Sequence, residues 1–144
     1  MDHVAPEKRS EIMRAVRAKD TRPEMFVRRL IHSLGYRYRL HVKNLPGNPD
    51  IVFRPRRKVI FIHGCFWHAH EGCSKGGLPK TRIDYWKTKL ENNRFRDFRN
   101  QKQLDKLGWQ SLVVWQCQLR DPIKLESELI QFLEDHDEKK AHRH

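Results

Sequence analysis

Asp50-Ile51-Val52-Phe53-Arg54-Pro55-Arg56-Arg57-Lys58-Val59-Ile60-Phe61-Ile62-His63 sets two short apolar runs on either side of a basic turn. Runs rich in β-branched and aromatic residues, broken in this way, predict a β-hairpin. The second run is apolar without alternation, which implies cover on both faces. Pairing Val52 with Phe61 centres the turn on Arg56-Arg57 and sets Asp50 opposite His63. Facing residues of an antiparallel pair lie about 4.5–5.5 Å apart at their α-carbons. The expected hairpin thus carries a carboxylate and an imidazole at one open end of the sheet. A carboxylate there, helped by carbonyls and water, suits Mg²⁺. A neighbouring imidazole can polarise a phosphate or move a proton near neutral pH. Singly, Asp50 is explained as a turn residue after Pro49 and His63 as a polar strand end. Their pairing in one hairpin is what favours a site.

The flanking segments complete an α/β pattern. Glu7 to about Lys19 carries Ile12, Met13 and Val16 at helical spacing among basic residues and reads as a basic N-terminal arm, residues 1–19. Thr21-Arg22-Pro23-Glu24 has capping-box spacing, and Phe26, Val27, Leu30, Ile31 and Leu34 make an apolar stripe closed by Gly35. Tyr36, Tyr38, Leu40 and Val42 alternate with basic residues as a half-buried strand, and turn formers fill Asn44 to Pro49. A long polar helix is expected from about Ile83 to Leu107, then a strand from Trp109 to Cys117. Asp121-Pro122 opens a last helix with Leu125, Leu129, Ile130 and Leu133 facing inward, followed by a frayed tail at 136–144. The order is helix, helix, three strands, helix, strand, helix. It predicts one domain over residues 1–144, an α/β layer sandwich on a small mixed sheet.

Beyond the hairpin lies Gly64-Cys65-Phe66-Trp67-His68-Ala69-His70-Glu71-Gly72-Cys73. Cys65, His70 and Cys73 are spaced as metal ligands, and Cys117 closes the last strand. Three thiols and one imidazole satisfy a tetrahedral Zn²⁺ with none left over, although His68 could replace His70. The rival is three buried free thiols. A closed four-ligand site holds a loop and does no chemistry. Phe66 and Trp67 lie inside that loop and suggest wedges for a base stack, whereas Trp115, between apolar neighbours, suggests core.

Bulk composition narrows the partners. Lys and Arg number 30 against 18 Asp and Glu, a formal charge of +12. Such a field draws polyanions, nucleic acid first and an acidic membrane surface second. No apolar run is long enough to cross a bilayer, and the start, Met1 to Pro6, lacks the pattern of a secretion signal, so a cytoplasmic protein is expected. Three cysteines in a reducing compartment point to metal or free thiols and away from disulfides.

Leu45 to Phe53, Val59 to His63 and Gly64-Cys65-Phe66-Trp67-His68 resemble the very-short-patch DNA mismatch repair endonucleases. The resemblance runs through Arg9-Ser10, Met13-Arg14-Ala15, Asp20-Thr21, Pro79, Thr81-Arg82, Trp86, Leu107-Gly108-Trp109 and Val114-Trp115 to Cys117. It implies a restriction-endonuclease-like core with a structural zinc. It also implies an enzyme that nicks one strand beside a T:G mismatch left by 5-methylcytosine deamination, starting very short patch repair.

Carried over by position, Asp50 would bind Mg²⁺ with the backbone carbonyl of Ile62. His63 and His68 would act at the scissile phosphate and its attacking water. Asp97 would orient His68, and Glu24 would meet the metal's water shell. Cys65, His70, Cys73 and Cys117 would hold zinc. Phe66, Trp67 and Trp86 would enter the duplex. Ile62 replaces the family's usual Thr, which preserves a main-chain ligand but no hydroxyl. An extra residue lies near Glu71-Gly72.

Read from the residues alone, Glu24 is a helix cap and Asp97 a solvated helix charge. The expected partner is mismatched double-stranded DNA, bound by a monomer acting at the nucleoid, with downstream repair proteins possible. Arg14, Arg17 and Lys19 would contact phosphates. The rivals are a zinc-stabilised DNA-binding module without catalysis, and a less specific or RNA-cleaving nuclease of the same core.

Overall fold

The computed structural model describes residues 21–65, 68, 70 and 81–135. The basic arm with Arg14, Arg17 and Lys19, the tail at 136–144, and Phe66, Trp67 and Cys73 lie outside the described residues. Helix α1 spans Arg22–Ser33, with the Thr21 hydroxyl accepting from the Glu24 N–H at 3.4 Å and proline in the first turn. Gly35, at φ +93°, follows its last turn. Val27 and Ile31 are buried, while Phe26 at the edge of the stripe is 38% exposed.

The expected strand from Tyr36 to Val42 shortens to β1, Arg39–Leu40, which ends where His41 leaves the extended region at φ +50°; the rings of Tyr36 and Tyr38 meet Phe53 edge-on. β2 (Ile51–Phe53) and β3 (Lys58–His63) form the predicted hairpin, two residues away from the expected register. Val52 pairs with Val59 and Phe53 with Lys58, so Asp50 does not face His63. The expected register would have made Pro55 a paired strand residue, although proline has no N–H to give a ladder. Proline instead takes the second position of the turn Arg54-Pro55-Arg56-Arg57, closed by the Arg57 N–H on the Arg54 carbonyl at 3.1 Å. A slip of two keeps every side chain on its own face, so the hydrophobic pattern fits both registers equally well.

Helix α2 (Ile83–Lys106) carries the chain across to β4 (Gln110–Trp115), which runs parallel to β3 with His63 beside Trp115. The sheet is mixed, in the order β1-β2-β3-β4. A 3₁₀ turn, Gln116–Arg120, leads into α3 (Pro122–Glu134), capped by the Asp121 carboxylate on the Lys124 N–H. Leu125, Leu129 and Leu133 are buried, whereas Ile130, expected inward, is 38% exposed. The buried row repeats every four residues, and Ile130 sits about 100° round the helix from Leu129.

Alternation along the strands builds a core on each face. Ile51, Phe53, Ile60 and Val114 pack with Val27, Ile31, Leu125, Leu129 and Leu133. Val52, Val59 and Phe61 pack with Leu104 and Trp109 on the other side. Both faces of β3 are covered, which explains its unbroken apolar run. Gly47 fastens the loop before Asp50: a Cβ there would meet Asn100 of α2 and the Phe61 ring at 3.0–3.1 Å. Among the described residues no helix is long and apolar enough to cross a membrane.

Candidate active site and metal centres

Asp50 enters the site from the end of β2. Its Oδ2 accepts the Ile62 N–H at 2.7 Å, and its carbonyl accepts the His41 N–H at 3.2 Å. N–H and C=O of a strand residue project to the same edge, so the Ile62 carbonyl belongs to this corner too. Burial raises the Asp50 pKa to about 6, the nearby Glu24 charge adding to it and the Ile62 hydrogen bond opposing it.

Glu24 is 3% exposed. Its backbone serves the helix cap, but its carboxylate turns inward, 2.6 Å from Arg28 Nη2 and 2.8 Å from His41 Nε2. The cap therefore accounts for only half of this residue. Glu24, His41 and Asp50 each bring one ligand atom within 4.8 Å of the others. A buried and a half-buried carboxylate in such a corner fit a divalent cation, which would offset the charge that desolvation penalises.

Asp50 also feels the charge of His68, which belongs to a second cluster with His63 and Asp97. The rings of His63 and His68 stack with centroids 3.7 Å apart and planes 3° from parallel. His68 Nδ1 is 2.5 Å from Asp97 Oδ2, on the inner side of α2, so Asp97 is no free surface charge. His63 is 5% exposed, and its Nδ1, 4.0 Å from the same carboxylate oxygen, has no hydrogen-bond partner among the described residues. Burial, reinforced by His68, lowers its pKa to about 3. Asp50 and His63 are thus joined through the stacked His68 and not through the hairpin ladder.

Cys65, His70 and Cys117 form a third group with ligand atoms within 4.8 Å of one another. Cys117 Sγ lies 3.5 Å from His70 Nδ1. Two thiols and an imidazole at this spacing fit a tetrahedral Zn²⁺ set. His70 lies among the sulfurs, and His68 lies on Asp97. Trp115, read from the sequence as core, is half-buried and stacks on His70 at 4.0 Å while meeting His63 edge-on at 5.2 Å. Trp86 lies half-buried in the first turn of α2, edge-on to Tyr85, over which Arg82 is placed.

His41 and Arg28 escaped the sequence reading. From the sequence alone His41 is one polar position among several in an alternating segment, and nothing marks Arg28 as turned inward. The available signal was the placement of Glu24 and Arg28 one helical turn apart, which marks an ion pair but not its burial.

The description "DNA mismatch endonuclease Vsr" belongs to the family model that matches residues 1–75. The type II nicking enzyme V.XorIIP of Xanthomonas oryzae pv. oryzae is 56% identical over 133 residues, which cover 92% of this chain and 97% of that one. The type II nicking enzyme V.NmeAIP of Neisseria meningitidis is 43% identical over 79% of this chain and 81% of its own. The DNA mismatch endonuclease Vsr of Escherichia coli is 42% identical over 85% of this chain and 78% of its own. With its first half matched by the family and most of its length by these relatives, the chain belongs to the Vsr DNA mismatch endonuclease family and is a DNA endonuclease.

Proposed function

We propose that this endonuclease nicks one strand of duplex DNA beside a T:G mismatch, in a Mg²⁺-dependent reaction that starts very short patch repair. The observation that carries this reading is the adjacency of two unlike clusters. Asp50 and Glu24 offer a cation site, and the stacked His63 and His68 with Asp97 offer proton chemistry beside it. A DNA-binding module without catalysis has no use for a desolvated aspartate and a desolvated histidine in neighbouring clusters, both of which are unfavourable for folding.

Mg²⁺, when bound by Asp50 and the Ile62 carbonyl with Glu24 at its water shell, would neutralise charge developing on the phosphate and the leaving oxygen. The protein's own groups divide the remaining work. His68 takes the proton of the attacking water, because Asp97 at 2.5 Å stabilises the imidazolium that forms and fixes its ring. His63, held neutral by burial, keeps one N–H to donate to a phosphate oxygen and positions His68 by stacking. The product ends are a 5′-phosphate and a 3′-hydroxyl. Phe66, Trp67 and Trp86 wedge into the duplex, which costs less beside a mispair, where stacking and pairing are already weakened. Cys65, His70, Cys73 and Cys117 hold Zn²⁺ and anchor the loop that carries His68. The +12 chain binds phosphates as a monomer, with affinity that falls steeply as salt rises.

The decisive experiment uses end-labelled duplexes carrying T:G or T:A, with Mg²⁺ or EDTA, and the Asp50→Ala variant in parallel. A Mg²⁺-dependent nick confined to the T strand of T:G, absent in the variant, is the expected result. Equal nicking of T:A would replace the mismatch reading with nicking that needs no mispair; the Xanthomonas and Neisseria relatives are named nicking enzymes. Binding without scission in any sequence context would remove the catalytic reading altogether.

A further inference from the structure

His41 is brought to the carboxylates by a backbone that few side chains adopt. It follows the short strand β1 at φ +50°, in the left-handed region. That conformation is strained for a non-glycine residue, so something must hold it. Its N–H on the Asp50 carbonyl is one restraint, and the placement of its ring is the other. Nε2 lies 2.8 Å from Glu24 Oε2 and 3.1 Å from Arg28 Nη2, while Arg28 Nη2 lies 2.6 Å from the same Glu24 oxygen.

One ring nitrogen cannot serve both neighbours. Protonated, it donates to Glu24 but turns its N–H towards a guanidinium that can only donate. Deprotonated, it accepts from Arg28 but sets a lone pair against a carboxylate. A metal ion shared by Nε2 and the Glu24 carboxylate, which then binds the ion itself in place of one of its waters, resolves the conflict, because both are then donors to one cation. Arg28 is the positive group with which that cation competes.

We propose that His41 is a third side-chain donor of the metal centre, placing an imidazole nitrogen beside Asp50 and Glu24 and raising the site's preference for Mn²⁺ relative to Mg²⁺. The inference rests on the metal-dependent reading above. Mg²⁺ binds oxygen donors and keeps its waters, so an imidazole adds little to it. First-row transition ions gain from the same nitrogen.

The test measures binding without DNA. Mn²⁺ binding to the full chain is followed by electron paramagnetic resonance, and Mg²⁺ binding by its competition with Mn²⁺. The site is defined as the binding that Asp50→Ala abolishes, which separates it from the cysteine cluster. His41→Gln replaces the nitrogen donor by an amide oxygen, and circular dichroism establishes that the variant is folded. The expected result is a loss of about ten-fold or more in Mn²⁺ affinity with Mg²⁺ affinity nearly unchanged. Pulsed resonance on the wild-type protein should also show nitrogen coupling to the Asp50-dependent Mn²⁺. An Asp50-dependent site without nitrogen coupling, or with the same Mn²⁺ to Mg²⁺ ratio in His41→Gln, would overturn the role of His41 and leave the metal centre standing. Absence of any Asp50-dependent binding in the wild type would sink both.

Discussion

Asp50 and Glu24 crowd negative charge into a corner from which water is largely withdrawn, and the Asp50 pKa of about 6 records the cost. The folded pKa lies above the ordinary value of 3.8, so between roughly pH 4 and 6 the native protein binds the extra proton. Stability without metal therefore falls as pH rises through that window, and the deficit persists above it. Asp50→Asn removes the charge and keeps the shape. In EDTA at pH 7 it is expected to be more stable than the wild type by about 1–2 kcal/mol, with the advantage gone below pH 4. Urea melts at the two pH values check this; a less stable variant at pH 7 would show that Asp50 is not the strained group. His63 has the opposite sign: its folded pKa is lowered to about 3, so its contribution is lost as pH falls from 6.5 towards that value. At this scale Asp50 and His63 were legible as candidate site residues from residue type and order, and His68 from the family resemblance. The partners of Glu24 were not, because an ordinary cap spacing explains the residue without them.

Among the elements, the β2–β3 hairpin does two jobs. One end carries the site, and its turn clamps the end of α3. Arg56 Nη1 donates to the Leu133 carbonyl at 2.9 Å, and Lys58 Nζ to the carbonyls of Phe132 and, at 2.6 Å, Asp135. The last carbonyls of a helix lack intrahelical partners and carry the negative end of its dipole, so buried cations there are favourable. Lys58 is only 4% exposed. Lys58→Met keeps the apolar stem and removes the charge, leaving those carbonyls unpaired. It is expected to cost about 2 kcal/mol in a urea melt while leaving Asp50-dependent Mn²⁺ binding intact. A loss too small to resolve would mean that solvent takes over the carbonyls. The hairpin itself was legible because the apolar runs and the proline turn are local. Its register was not, since the sequence pattern has a period of two and the slip was two residues. The clamp on α3 joins residues 74 and 77 positions apart, a distance at which no local pattern speaks.

Across the whole molecule, the Cys/His cluster ties the loop after β3 to the end of β4. Cys65 and His70 come from one side of the sequence and Cys117 from the other, joined because β3 and β4 run parallel. Trp115 then touches both this cluster and the histidine pair, so the order of one bears on the order of the other. Purified protein is expected to hold one zinc per chain. Cys117→Ser should lower zinc content several-fold and, since structural zinc contributes directly to folding, reduce thermal stability. Metal analysis with a thermal melt measures both. Unaltered stability in a zinc-free variant would reduce the cluster to packed thiols.

The sequence by itself determined which residues could do chemistry and which segments are strands or helices. Apolar periodicity, turn formers and ligand spacing are local properties, and the family motif from Leu45 to His68 is local as well. Tertiary structure decided who meets whom. It moved Asp50 off His63 by a register that keeps each side chain on its face, gave His68 to Asp97 and His70 to the sulfurs, and brought His41 and Arg28 to Glu24. Each of these outcomes depends on a strand pairing or a helix packing between distant segments. Their free energy comes from burial shared across the whole core, which no single stretch of sequence carries.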